Sequence, residues 1–198
     1  TIGAKVWDTA NSLRATDATV LVDDLPDGKL DVAALAHAIA FGARLRSYAF
    51  DKYLTKKGDD KKPTLQRLSI GIKGAAAAKR AFGPAEKLAD AIDYTRNLVS
   101  EPGNVIYPKT LADACKALVP LGVKVELLGV KEMTKLGMGA LLGVGQGSVH
   151  EPYLAVMQWH GGKADDKPVA FVGKGVTFDT GGISIKPAQN MHDMKWDM

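Results

Sequence analysis

Thr1 to Ala15 reads as a helix. After Asp31, whose carboxylate suits an N-cap, the apolar positions Val32, Leu35 and Ile39 recur at spacings of three and four, so a second helix with one face to bury is expected, running to about Leu54. Between these helices, Thr19-Val-Leu-Val22 is a short apolar run closed by Asp23-Asp-Leu-Pro-Asp-Gly28, the pattern of a buried strand followed by a turn. Charges without periodicity, interrupted by Gly58 and Pro63, make Lys56 to Pro63 a solvated loop, and a strand is expected from Leu65 to Ile72. Gly74 to Arg80 fits a helix or a connector. Leu88, Ile92, Thr95 and Val99 then share a helical stripe, with Pro84 placed in a first turn, until Glu101-Pro-Gly-Asn104 stops the helix.

Beyond that stop, a helix of about ten residues should follow Pro108, and Val123 to Leu128 alternates as a strand does. Tyr153 to Trp159 and Val169 to Val172 are further strand candidates. Strands alternating with helices indicate an α/β fold. The expected organisation is the remnant, the C-terminal part, of a small α/β domain in residues 1–83, a linking helix in 84–100, and the start of a second α/β domain in 101–198.

Composition narrows the function. With 46% hydrophobic and 24% charged residues the chain can bury a core, and its net charge of +4 is too small and too interleaved to imply a nucleic-acid surface. Cys115 is the only cysteine, which excludes an intrachain disulfide and fits a reducing compartment; its helical context makes it a packing residue rather than a nucleophile. No apolar stretch approaches the ~18 residues of a membrane span, and no signal peptide opens the sequence. A soluble, cytoplasmic protein is the expectation.

Several glycine and histidine patterns lead nowhere. Gly143-Val-Gly-Gln-Gly147 does not sit between a strand and a helix as a dinucleotide loop must, and reads as a turn. Gly173-Lys174-Gly175 lacks P-loop spacing, and Asp179-Thr-Gly181 has no second copy with which to share an aspartic-protease proton. His37, His150, His160 and His192 show no close pair spacing of the kind that marks a zinc site.

The last stretch is different. Val172-Gly-Lys-Gly-Val-Thr-Phe-Asp-Thr-Gly-Gly-Ile-Ser-Ile-Lys-Pro187, followed by Met191-His-Asp-Met-Lys-Trp-Asp-Met198, sets Lys174, Asp179, Lys186 and Asp197 among glycines and short apolar runs. Carboxylates on glycine-flanked turns can offer hard oxygen donors to Mn²⁺, Mg²⁺ or Zn²⁺, while the bland alternative is a surface cluster of salt bridges. A lysine joins such a set only when neutral, far from its reference pKa of about 10.4, which a nearby divalent charge can bring about.

This segment resembles the leucyl aminopeptidase (M17, cytosol aminopeptidase) family of metallopeptidases, almost unbroken from Val172 to Pro187 and again from Met194 to Met198. Arg96 to Asn104 and Gly137 to Gly147 also look like stretches of that family, whereas residues 1–70 resemble only the layout of its N-terminal domain. The resemblance implies a hydrolase that releases N-terminal, leucine-type residues from peptides through a water activated by two divalent ions, Mn²⁺ or Zn²⁺ and possibly Mg²⁺. It implies Lys174, Asp179 and Asp197 as metal ligands, Asp179 bridging. Lys186 would be the catalytic lysine at the substrate carbonyl, and Met194 would line the pocket for the first side chain. A homo-hexamer is implied for the full-length protein. DNA binding or pure assembly is the alternative role, because some members double as DNA-binding regulators. The family's Asn-Thr-Asp-Ala-Glu-Gly-Arg motif occurs nowhere in these 198 residues, so two ligands are unaccounted for and the chain alone is expected to be nearly inactive.

Overall fold

The computed structural model describes residues 1–23, 31–55, 62–163 and 165–197, the last by its backbone alone. The turn expected after Asp23 and most of the charged loop at Lys56 to Pro63 lie outside these residues. The fold is α/β, as expected. It divides into two compact units, Thr1–Asn97 and Leu98–Met198, each described by itself.

In the first unit, α1 (Ile2–Ser12) is opened by Thr1, whose Oγ1 accepts the Ala4 amide at 3.4 Å. Helix α2 (Val32–Arg46) starts as its sequence predicts, Asp31 Oδ1 accepting the amides of Ala33 at 2.9 Å and Ala34 at 3.1 Å. It ends eight residues short of the expected Leu54: Ser47 Oγ donates back to the Arg44 carbonyl, and Arg44 and Arg46 complement the negative end of the helix dipole. The two helices pack through small residues, with Gly3, Ala10, Ala36, Ile39, Gly42 and Ala43 buried. A Cβ on Gly3 would stand 2.0 Å from the Ile39 carbonyl oxygen, so the absence of a side chain sets how closely the backbones approach.

Strands β1 (Asp17–Leu21) and β2 (Arg67–Gly71) pair in parallel, Asp17 opposite Arg67 and Leu21 opposite Gly71. A parallel pair needs a long crossover, and α2 lies within it. Asn11 fixes where the chain enters β2: its Oδ1 accepts the amides of Thr64 and Leu65 at 2.7 and 3.1 Å, while its Nδ2 donates to the Trp7 carbonyl.

Helix α3 (Ala75–Ser100) begins nine residues before Pro84 and carries that proline inside it, where the sequence suggested a first turn. The expected stripe is also displaced: Ala78, Ala85 and Ala89 are buried and Leu88 is exposed. Charge accounts for the shift. Arg44 of α2 pairs with Asp90 at 3.3 Å and with Asp93, and Arg96 donates to the Leu45 carbonyl at 2.9 Å, which turns the Ala89 and Asp93 face toward α2.

The second unit starts at the end of α3. Helix α4 (Pro108–Lys116) has proline at its first position, and Thr110 Oγ1 accepts the Tyr107 amide at 2.9 Å. A 3-10 turn, Val119–Leu121, leads to β3 (Lys124–Leu128), which pairs antiparallel with β4 (Leu154–Gln158), Lys124 opposite Gln158. Between them lie α5 (Val130–Lys135), which buries Met133 completely, and α6 (Gly139–Gly145). Helix α6 corrects the reading of Gly143 to Gly147 as a turn: the chain is helical to Gly145 and turns after it.

One predicted strand is absent. Val169 to Val172 is not paired, and Val169, Phe171 and Val172 are 79%, 93% and 99% exposed. An apolar run makes a strand only when a neighbour supplies the ladder, and none of the described residues does. No helix among the described residues is long and apolar enough to cross a membrane.

Gly3→Ala should lower the stability of the first unit. The gain in helix propensity of about 1 kcal/mol is outweighed by a backbone clash of the overpacking kind, leaving a net loss of about 1–3 kcal/mol. Urea denaturation followed by circular dichroism measures it as a lower midpoint at unchanged m-value.

Candidate functional site

The segment carrying the lysines and aspartates contains almost no regular structure, so local hydrogen bonds position it. Gly181 and Gly182 adopt φ of 96° and 67°, a left-handed pair that reverses the chain directly after Asp179-Thr180. The Lys186 amide closes the reversal on the Thr180 carbonyl at 2.9 Å. A Cβ on Gly181 would lie 2.3 Å from the Ser184 carbonyl oxygen, so glycine is required there for space as well as conformation.

This loop brings Lys186 back over Asp179. Asp179 Oδ1 accepts the Gly181 amide at 2.8 Å, and Oδ2 faces Lys186 Nζ at 3.5 Å. The Gly181 N–H holds the Asp179 carboxyl below the usual aspartate range, and the charges of Lys186 and Lys174 add to the effect. Lys186 Nζ also reaches Met194 Sδ at 3.2 Å, on the 3-10 helix Met191–Asp197. Three of the residues singled out in the sequence thus converge: Asp179, Lys186 and Met194.

The other two stand differently. Lys174 is exposed, outside any helix or strand, and acts on Asp179 by charge without touching it. Asp197 ends the 3-10 helix, and its side chain lies outside the described residues. Among the described residues no three His, Cys, Asp or Glu side chains gather at a spacing that would hold a metal. Two of the histidines are engaged by aromatic rings, His37 by Phe41 and Phe82 and His150 by Tyr107, stacked with centroids 4.1 Å apart, while His192, on the same 3-10 helix as Met194, faces Asp193 at 3.2 Å.

Sequence reasoning missed two anchors. Phe178 packs against Gly103, and Lys195 Nζ donates to the Ser100 carbonyl at 2.9 Å across 95 residues of sequence. The sequence marks Ser100 and Gly103 as the end of a helix and part of a family-like stretch, and neither signal names a partner so far along the chain. Two cavities elsewhere, of about 240 Å³ beside Trp7 and Arg46 and about 340 Å³ beside Leu142 and Pro152, include none of these residues.

A profile of the cytosol aminopeptidase family, catalytic domain, matches residues 93–198, and one of the same family's N-terminal domain matches residues 1–57. The chain belongs to the cytosol aminopeptidase family. A probable cytosol aminopeptidase from Caulobacter vibrioides is 56% identical over 169 residues, 84% of this chain and 34% of that protein. Another from Rhizobium etli is 52% identical over 191 residues, 96% of this chain and 38% of that protein. The chain therefore spans little more than a third of the length of the curated relatives it matches. Among solved structures, the bottromycin maturation enzyme BotP in complex with Mn aligns with all of this chain and 40% of its own at a TM-score of 0.79 and 28% identity. A mutant of tomato leucine aminopeptidase aligns with 77% of this chain and 31% of its own at 0.64 and 26%. The profile that matches the second unit covers every one of the five singled-out residues.

A carboxyl whose folded pKa is depressed contributes stability above its unfolded value, and loses it as pH falls through the folded one. Asp179 should accordingly titrate below the ~3.9 of an unperturbed aspartate. Lys186→Met should raise that midpoint part of the way, because the Gly181 N–H, the larger cause, is retained. Carbon-detected NMR of the Asp179 carboxyl between pH 2 and 6, roughly two units either side of that reference value, measures both.

Proposed function

We propose that this chain forms part of a metal-dependent aminopeptidase that releases leucine-type residues from the free N-termini of peptides, working as a homo-hexamer when full length. The observation that carries the reading is the convergence of Asp179, Lys186 and Met194 inside the stretch that most resembles the family's catalytic segment.

The donor chemistry suits a divalent cation. Asp179 is held ionised, and among the described residues its Oδ2 is engaged only by a lysine at 3.5 Å, so it offers a hard oxygen to an ion such as Mn²⁺ or Zn²⁺. It fills one position of a larger set, with Lys174 and Asp197 as the further ligands within this chain. Two divalent ions, when bound, supply Lewis acidity and a more acidic water.

The remaining work falls to side chains. Lys186, released from Asp179, presents its ammonium to the substrate carbonyl and stabilises negative charge as it develops on that oxygen. Met194 confines Lys186 through its sulfur and offers an adaptable apolar wall for the first side chain of the peptide. The opposite charges of Asp179 and Lys186 thus serve two tasks, one toward the cation and one toward the substrate.

Titrating Mn²⁺ into the 198-residue chain should broaden NMR signals around Asp179 weakly and selectively, and Asp179→Asn should abolish the broadening. Leucine p-nitroanilide with excess Mn²⁺ should show little or no turnover by this chain alone. Robust, chelator-sensitive turnover would show that the site is complete without the missing motif.

A further inference from the structure

We infer that the turn at the C-terminal end of α3, from the last helical residue Ser100 through Gly103, is a positioning element for the Asp179 and Lys186 pair; the inference deepens the reading of that pair as a metal and substrate site. The turn is itself fixed: the amides of Val105 and Ile106 both donate to the Pro102 carbonyl, at 2.9 and 3.0 Å, and Ile106 and Glu101 are buried.

Gly103 does not adopt positive φ, so backbone conformation does not demand glycine there. Space does. A Cβ at position 103 would lie 2.8 Å from Phe178 Cβ and 2.9 Å from its Cγ. The Cβ is fixed by the backbone, so turning the ring cannot clear it and the backbone at 103 or 178 has to move, which parts the two segments. Asp179 is the next residue.

Lys195 makes the second contact. Its Nζ donates to the Ser100 carbonyl at 2.9 Å, and it directly follows Met194, whose sulfur meets Lys186. The same short turn therefore seats the chain on both sides of the pair, before Asp179 and after Met194. Groups that orient a metal ligand without touching the metal commonly change affinity by about 10–100-fold when altered.

The test uses the 198-residue chain and Mn²⁺ alone as the probe. Gly103→Ala should shift the Gly181 amide resonance and the Met194 methyl resonance and weaken Mn²⁺ binding about tenfold. Gly139→Ala, where a Cβ meets nothing within 4 Å, should do neither. Lys195→Met should move the Met194 methyl signal, and Lys195→Arg, which keeps a donor for Ser100, should restore it. If Gly103→Ala does not fold, the two Lys195 variants decide the matter. Gly181 and Met194 signals unmoved in folded Gly103→Ala, or a Met194 signal unmoved in Lys195→Met, overturn the inference. Signals that move in a chain that takes up no Mn²⁺ in any variant uphold the positioning role and overturn the metal reading instead.

Discussion

Lys186 is held twice by the turn it closes, through its amide on the Thr180 carbonyl and its ammonium beside the Asp179 carboxylate. The second unit's chemistry depends on this closure, because helix or strand geometry positions neither residue. An extended chain would hold the seven-residue separation of Asp179 and Lys186 at roughly 23–25 Å. The left-handed pair Gly181 and Gly182 folds that distance back to a contact. The exposed ion pair adds little stability of its own, so its role is geometric.

The first unit solves a different problem by the same device of small residues. Helices α1 and α2 approach through glycine and alanine, and the Arg44, Asp93 and Arg96 network ties the end of α2 to α3. Asp93 Oδ1 is buried without a hydrogen bond, although Arg96 lies 3.6 Å away, so charge compensates where directional bonding does not. Gly3 in the first unit and Gly181 in the second each face a carbonyl oxygen where a Cβ would stand, so a side chain at either would move backbone.

Much of the fold was legible because its signals are local. Asp31 as a cap, Pro108 at a first turn and the alternation of Val123 to Leu128 each act within a few residues of themselves. The failures share a cause. Pro84 within α3, the buried Ala89 face beside exposed Leu88, and the unpaired Val169 to Val172 were each decided by what lies opposite, which no local pattern contains. The lysines and aspartates of the tail were legible as a set through resemblance to the family, since residue types and spacing by themselves favour a salt-bridge cluster.

By itself, then, the sequence determined which residue types are available to the site, the caps at Asp31 and Pro108, the stop after Ser100, and the α/β alternation, because covalent order and local propensity suffice for these. Tertiary structure alone decided that Lys186 meets both Asp179 and Met194, while Lys174 reaches Asp179 through charge without contact. It also decided that Gly103 and Ser100, some 75 to 95 residues away in the chain, seat the segment that carries them. Contacts at such separations arise from packing and backbone hydrogen bonds, which depend on shape, and shape exists only once the chain has folded.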